Sequence, residues 1–327
     1  MRTITKVGAF GAGLTLTFGV AFGIGNAVGP VDTEPTTAHD DAPHGDTPEG
    51  ATEEESEASE AAREDSAAEQ PGGLQISERG YTLVPLAEPP RAGEPTDFRF
   101  RILGPDGEPL TAYETSHEKD LHLIVVRRDL SGFQHVHPEL GADGTWSVPL
   151  TFESAGDHRI FADFTPAGDP GGSLTLGADL AVTGDYTPGE LPEPTRTTTV
   201  DGYTVTLAGD LTAGADSELT LSVSRDGEPV TDLEPYLGAY GHLVALRAGD
   251  LAYLHVHPEG APDDGTTRPG PEIAFSTTAP SAGDYRLYLD FKHEGEVHTA
   301  EFTATAGAGD GTSADHEDGG DGGHGGH

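Results

Sequence analysis

The chain has 327 residues, no cysteine, one methionine, and a formal charge of -40 from 57 acidic and 17 basic side chains. The absence of cysteine excludes disulfide staples, thiolate metal sites, a nucleophilic cysteine and a lipoprotein anchor cysteine. With Met1 as the only thioether, a soft sulfur site for Cu(I) is excluded as well, so any metal must use nitrogen and oxygen ligands. So acidic a surface repels phosphate backbones and argues against nucleic acid as a partner.

Residues 1–31 open with Arg2 and Lys6 and continue as an uncharged run rich in Gly, Ala, Phe, Leu and Val. A basic start followed by an apolar run is the pattern of a signal peptide or membrane anchor. Either reading puts the rest of the chain outside the cytoplasm and limits membrane contact to this segment. Residues 32–73 are Glu, Asp, Ala, Ser, Pro and Thr with almost no large apolar side chain, a composition expected to form a disordered acidic stalk. Residues 307–327 mix Asp and Gly with His316, His324 and His327; they predict a second disordered tail, of a composition that suggests loose metal binding.

Between the tails runs an internal repeat. Tyr81-Thr82-Leu83-Val84 matches Tyr203-Thr204-Val205-Thr206, and Asp106-Gly107-Glu108-Pro109 matches Asp226-Gly227-Glu228-Pro229. His122 to Arg127 matches His242 to Arg247, and His135-Val136-His137-Pro138-Glu139 matches His255-Val256-His257-Pro258-Glu259. Asp163-Phe164 matches Asp290-Phe291. The collinear matches predict two tandem domains, 74–186 and 200–306, joined by a Pro- and Thr-rich linker at 187–199, each expected to fold independently. In both copies short β-branched or aromatic segments alternate with Gly, Pro and Asp turn signals. In the first copy strands are expected near Tyr81, Phe98, Leu121, Phe133, Trp146, Arg159 and Leu176. Seven strands in such a length predict an all-β fold of two immunoglobulin-like β-sandwiches.

The repeated histidines are the motif that can carry chemistry. In a strand His135 and His137 share a face, as do His255 and His257. A hairpin centred near Asp129 and Leu130 would place His122 opposite His137, and the same arithmetic would place His242 opposite His257. Three imidazoles per copy would form a nitrogen site suited to a divalent transition metal, copper or zinc. Glu139, Glu259, Asp163 and Asp290 are candidates for a remaining ligand. A structural role is the competing account: His122 alternates with Ile124 and Val126, and Asp163 and Asp290 could pair with Arg127 and Arg247. His117, His158, His293 and His298 have no histidine at the matching position and are expected at the surface.

The chain resembles uncharacterised secreted or membrane-anchored actinobacterial proteins that combine a His-rich acidic region with a Gly-His-Leu-Val and His-Val-His-Pro domain. The resemblance covers mainly Tyr203 to Ala306 and is specific at Gly241 to Arg247 and His255 to Glu259. It implies a link to heavy-metal handling. The β-sandwich copper binders of the bacterial periplasm are a looser comparison. No nucleophile elbow, phosphate-cradling loop or dinucleotide fingerprint is present, so no enzymatic activity is expected. The expectation is an extracytoplasmic binding protein with one metal site per sandwich through His122, His135 and His137, and through His242, His255 and His257. The alternative is a structural or interaction module that contacts other cell-envelope proteins without a metal.

Overall fold

The structure is a computed structural model and describes residues 70–86, 88–254 and 256–308. The export segment, most of the acidic stalk, nearly all of the C-terminal tail and His255 lie outside the described residues. Among the described residues there are strands and no helices, and hence no helix long and apolar enough to cross a membrane.

The first copy contains β1 (Ser77–Glu78), β2 (Tyr81–Pro85), β3 (Pro95–Leu103), β4 (Tyr113–Glu114), β5 (Leu121–Arg127), β6 (Gln134–Val136), β7 (Glu139–Leu140), β8 (Thr145–Thr151), β9 (Gly156–Pro166) and β10 (Leu174–Val182). They form two sheets, β1-β2-β3-β8-β7 and β10-β9-β5-β6, with β4 paired to β9. All seven expected strands are present. The second copy contains β11 (Thr197–Val200), β12 (Tyr203–Ala208), β13 (Asp216–Arg225), β14 (Glu228–Pro229), β15 (Gly241–Arg247), β16 (Tyr253–Leu254), β17 (Val256–Pro258), β18 (Glu272–Thr278), β19 (Gly283–His293) and β20 (Glu296–Ala306). Its sheets run β11-β12-β13-β18-β17, with β14 on β13, and β16-β15-β19-β20. The fold is therefore two tandem immunoglobulin-like β-sandwiches.

Alternation along each strand explains which face is buried. On β3, Phe98, Phe100 and Ile102 point into the first core while Arg99 and Arg101 face out. On β13, Leu219, Leu221 and Val223 do the same for the second core. Strand β5 departs from this pattern because all seven of its residues are buried. Leu121, Leu123 and Val125 join the first core. Ile124 and Val126, on the opposite face, join Leu130 and Phe161 in a third cluster with Val244, Leu246, Leu251 and Tyr288 of the second copy.

That third cluster lies between the sandwiches, which share one compact unit. Burying each such side chain contributes about 1.5–3 kcal/mol. An isolated copy would expose this face to water, a cost the expectation of independent folding leaves out. Phe133 stacks on Tyr288 with ring centroids 4.0 Å apart and planes 7° from parallel. The Tyr288 hydroxyl donates to the Leu130 carbonyl at 2.6 Å. Phe161 meets Tyr253 at 5.6 Å. Tyr253 is the counterpart of Phe133 and Tyr288 of Phe161, so the same patch serves both sides, as in a two-fold symmetric contact.

Two sequence expectations need correction. Arg127 and Arg247 pair with Asp129 and Asp250, not with Asp163 and Asp290. The strand register gives the reason: Arg127 lies across from His158, whereas Asp163 lies across from His122 at the far end of β5. Asp129 also accepts from the Ser131 hydroxyl and from the Gly189 amide at 2.6 Å, which ties the linker to the first sandwich. His158, His293 and His298 are buried rather than superficial. They bond the Gly156 carbonyl, the Tyr203 hydroxyl and Asp201, respectively.

Candidate metal centre

The register of the β5–β6 hairpin pairs Leu123 with Val136 and Ile124 with His135. Continued by one residue, it sets His122 opposite His137, as the sequence predicts. The three rings converge. His122 Nδ1 lies 3.1 Å from His135 Nε2 and 3.2 Å from His137 Nε2. All three nitrogens fall within 4.8 Å of one another, and this is the histidine trio that the described residues bring together. It sits on the face of β5 covered by the second sandwich.

A two-residue turn fixes the first ring. Ser116 and Lys119 exchange backbone hydrogen bonds, and the residues between them, His117 and Glu118, both have positive φ, 49° and 64°. That is the geometry of a tight primed hairpin turn. It aims the Ser116 carbonyl at His122, whose Nε2–H donates to it at 3.1 Å. The second copy repeats the device with Tyr236 and Ala239, and His242 Nε2–H donates to the Tyr236 carbonyl at 2.8 Å. Gly241, just before that histidine, packs closely: a Cβ there would come within 2.9 Å of the tip of Ile273, which would have to shift.

The second ring is fixed from the other sandwich. His135 Nδ1–H donates to Asp290 Oδ2 at 2.8 Å, with both side chains 5% exposed. A carbonyl oxygen can only accept, so His122 carries its proton on Nε2 and presents the Nδ1 lone pair to the cluster. The carboxylate likewise draws the His135 proton to Nδ1 and leaves Nε2 as an acceptor. Two lone pairs then face each other at 3.1 Å with the Nε2 of His137 alongside. One added proton can bridge one pair of these nitrogens, whereas a cation satisfies all three. The ring spacings fit a shared ion. A metal 2.0–2.1 Å from nitrogen lies about 3.2 Å from the ring centre, so ligands at a tetrahedral angle have centres about 5 Å apart. The three centroid distances are 5.3, 5.0 and 4.9 Å.

The electrostatics favour neutral rings. Burial, with the neighbouring His135 ring adding to it, lowers the pKa of His122 to about 3 and that of His137 to about 4. Burial lowers His242 to about 4. Neutral imidazole is the ligating form. Beside the trio opens a cavity of about 390 Å³ lined by His117, His122, His135, Asp163, His242 and His257, among others. Burial raises the carboxyl of Asp163 to about 6. One of its oxygens accepts from the Thr175 hydroxyl.

Among the described residues, the second copy differs from the first in the place of His257. Pairing of Ala245 with Leu254 would carry His242 toward His257, but the chain changes sheets after Leu254. Val256, His257 and Pro258 pair with Thr277, Ser276 and Phe275 of β18, leaving His257 exposed on the opposite sheet. In the first copy the switch comes later, at Glu139 of β7, so His137 remains beside β5. His255 lies outside the described residues. Glu139 is exposed on β7, and Glu259 accepts from the Ser276 hydroxyl, so neither joins the trio. His117 is exposed, as expected, and its ring stands 5.3 Å from His242 and 6.1 Å from His122.

A domain of unknown function, DUF8832, matches residues 77–172 and again residues 198–308. The chain belongs to this family. Each DUF8832 segment spans one copy of the repeat, including the histidine of β5 or β15 and the aspartate across from it. No curated protein matches the chain. Solved structures similar to it include the Escherichia coli adhesin FdeC, 18% identical with a TM-score of 0.24, over 71% of this chain and 65% of that one. The Yersinia pseudotuberculosis adhesin InvE is 14% identical with a TM-score of 0.23, over 71% and 60%. The chain thus spans less than two thirds of the length of either adhesin. Likenesses this weak carry no argument about this chain.

Proposed function

We propose that the protein is an extracytoplasmic, non-enzymatic module that binds a divalent transition metal, copper or zinc, through His122, His135 and His137. The observation that carries this reading is the convergence of three ring nitrogens, two of which are lone-pair acceptors because their distal nitrogens are already donating. Three imidazoles with no thiolate suit Cu(II) or Zn(II), and the ordinary divalent order places copper above zinc. His255 and His257 remain proposed as a weaker second set with His242, and the His-bearing tails as low-affinity capture. Export rests on the basic and apolar character of residues 1–31.

A second reading is favoured by a specific observation. The trio lies at the contact between the sandwiches, and His135 carrying an extra proton could bond Asp290 and His122 at once. The histidines would then hold two envelope-facing sandwiches at a fixed angle without a metal, in an interaction module. Titration of the full chain with Cu(II) and Zn(II) against a competing chelator separates the two. One tight equivalent, lost in the variant H122A/H135A/H137A while the fold persists, supports the metal reading. No tight equivalent in the wild type establishes the structural one.

A further inference from the structure

All three ligands of the proposed centre come from the first sandwich, but the carboxylate that orients one of them comes from the second. Asp290 stands on β19, across from His242 on β15. Its Oδ1 accepts from the Thr299 hydroxyl at 2.6 Å, which leaves Oδ2 for His135. A carboxylate on the distal nitrogen of a ligating histidine fixes its tautomer and ring orientation and raises its basicity, and losing such a partner typically weakens metal binding about 10–100-fold. Here that partner is present only while the sandwiches are docked.

We propose that Asp290 is a positioning residue of the metal centre, and that through it metal binding and docking of the two sandwiches are energetically coupled. The inference rests on the metal reading of the trio. If undocking withdraws Asp290, His135 is free to move its proton to Nε2 and cease to be a ligand. Linkage then runs both ways: the factor by which docking tightens metal binding is the factor by which metal tightens docking. The ion acts as a latch between sandwiches although it touches the side chains of only one.

The test uses the full chain with Zn(II) as probe. Affinity is measured by chelator competition for the wild type, D290N and D97N, the last removing a carboxylate from an exposed pair with Arg99 far from the contact. In parallel, amide hydrogen exchange is followed with and without Zn(II). The expected result is a 10–100-fold loss of affinity in D290N with D97N unchanged. Zn(II) should also slow exchange in β15 and β19 of the second sandwich in the wild type, but not in D290N. Wild-type affinity in D290N, or protection confined to β5 and β6, would overturn the coupling. If D290N does not fold, the wild-type exchange pattern decides alone. A wild type that binds no Zn(II) tightly overturns the metal reading itself, an outcome distinct from binding that is indifferent to Asp290.

Discussion

The contact between the sandwiches makes a quantitative prediction at Tyr288. Its side chain is fully buried, its ring stacks on Phe133 at 4.0 Å, and its hydroxyl donates to the Leu130 carbonyl. Replacement by alanine removes an aromatic ring from a packed site, which costs about 3–5 kcal/mol. Replacement by phenylalanine keeps the ring and leaves the carbonyl without its donor, at a cost of about 1–3 kcal/mol. In a folded unit of this size each kcal/mol lowers Tm by about 2–4 °C. Y288A should therefore melt roughly 6–20 °C below the wild type and Y288F by a smaller margin. Thermal and urea unfolding of the full chain measure both. A double-mutant cycle of F133A with Y288A should return a coupling of about 0.5–1.5 kcal/mol. If Y288A stays within about 0.5 kcal/mol of the wild type, as an exposed substitution would, the sandwiches do not pack through this face.

Two further expectations follow from charged and titratable groups. With metal removed by a chelator, His122, His137 and His242 titrate near 3 to 4 in the folded chain against about 6.5 when unfolded. The unfolded chain takes up protons first, so stability present above pH 6.5 should be lost as the pH falls from there toward 4. Urea midpoints across that window should show the slope, and H242A should flatten it. D129A should destabilise the first sandwich by about 3–5 kcal/mol, because it strands the largely buried Arg127 guanidinium and releases the Gly189 amide of the linker. Denaturant unfolding checks the loss, and proteolysis near Gly189 should quicken.

The strands and the first histidine trio were legible because they depend on local rules. Period-two alternation, the turn at Asp129 and Leu130, and one hairpin register suffice to bring His122, His135 and His137 together. The contact between copies depends on which surfaces meet, and local pattern does not specify that. A signal was nevertheless present: Leu121 to Val126 is apolar on both faces apart from His122, as expected of a strand buried on two sides. Ile124 and Val126 share the histidine face and therefore predict a covering layer rather than solvent. The place of His257 has a different cause. Identical His-Val-His-Pro text lies on either side of a sheet change that comes earlier in the second copy, and the identity of those residues does not encode where the change falls. Asp290 was legible as a nearby carboxylate, but its partner His135 is 155 positions away and reaches it only through the docked faces.

The symmetric patch between the copies has a consequence for how the molecule meets dilution. A self-complementary contact between separate chains dissociates as concentration falls, whereas a short tether holds the two halves at a millimolar effective concentration whatever the surroundings. Duplication within one chain makes an association of that kind a first-order process. It has also removed the requirement that the two halves remain identical. One side could keep three imidazoles in register while the other supplied the carboxylate, a division of labour that a symmetric pair of separate chains would have to carry twice.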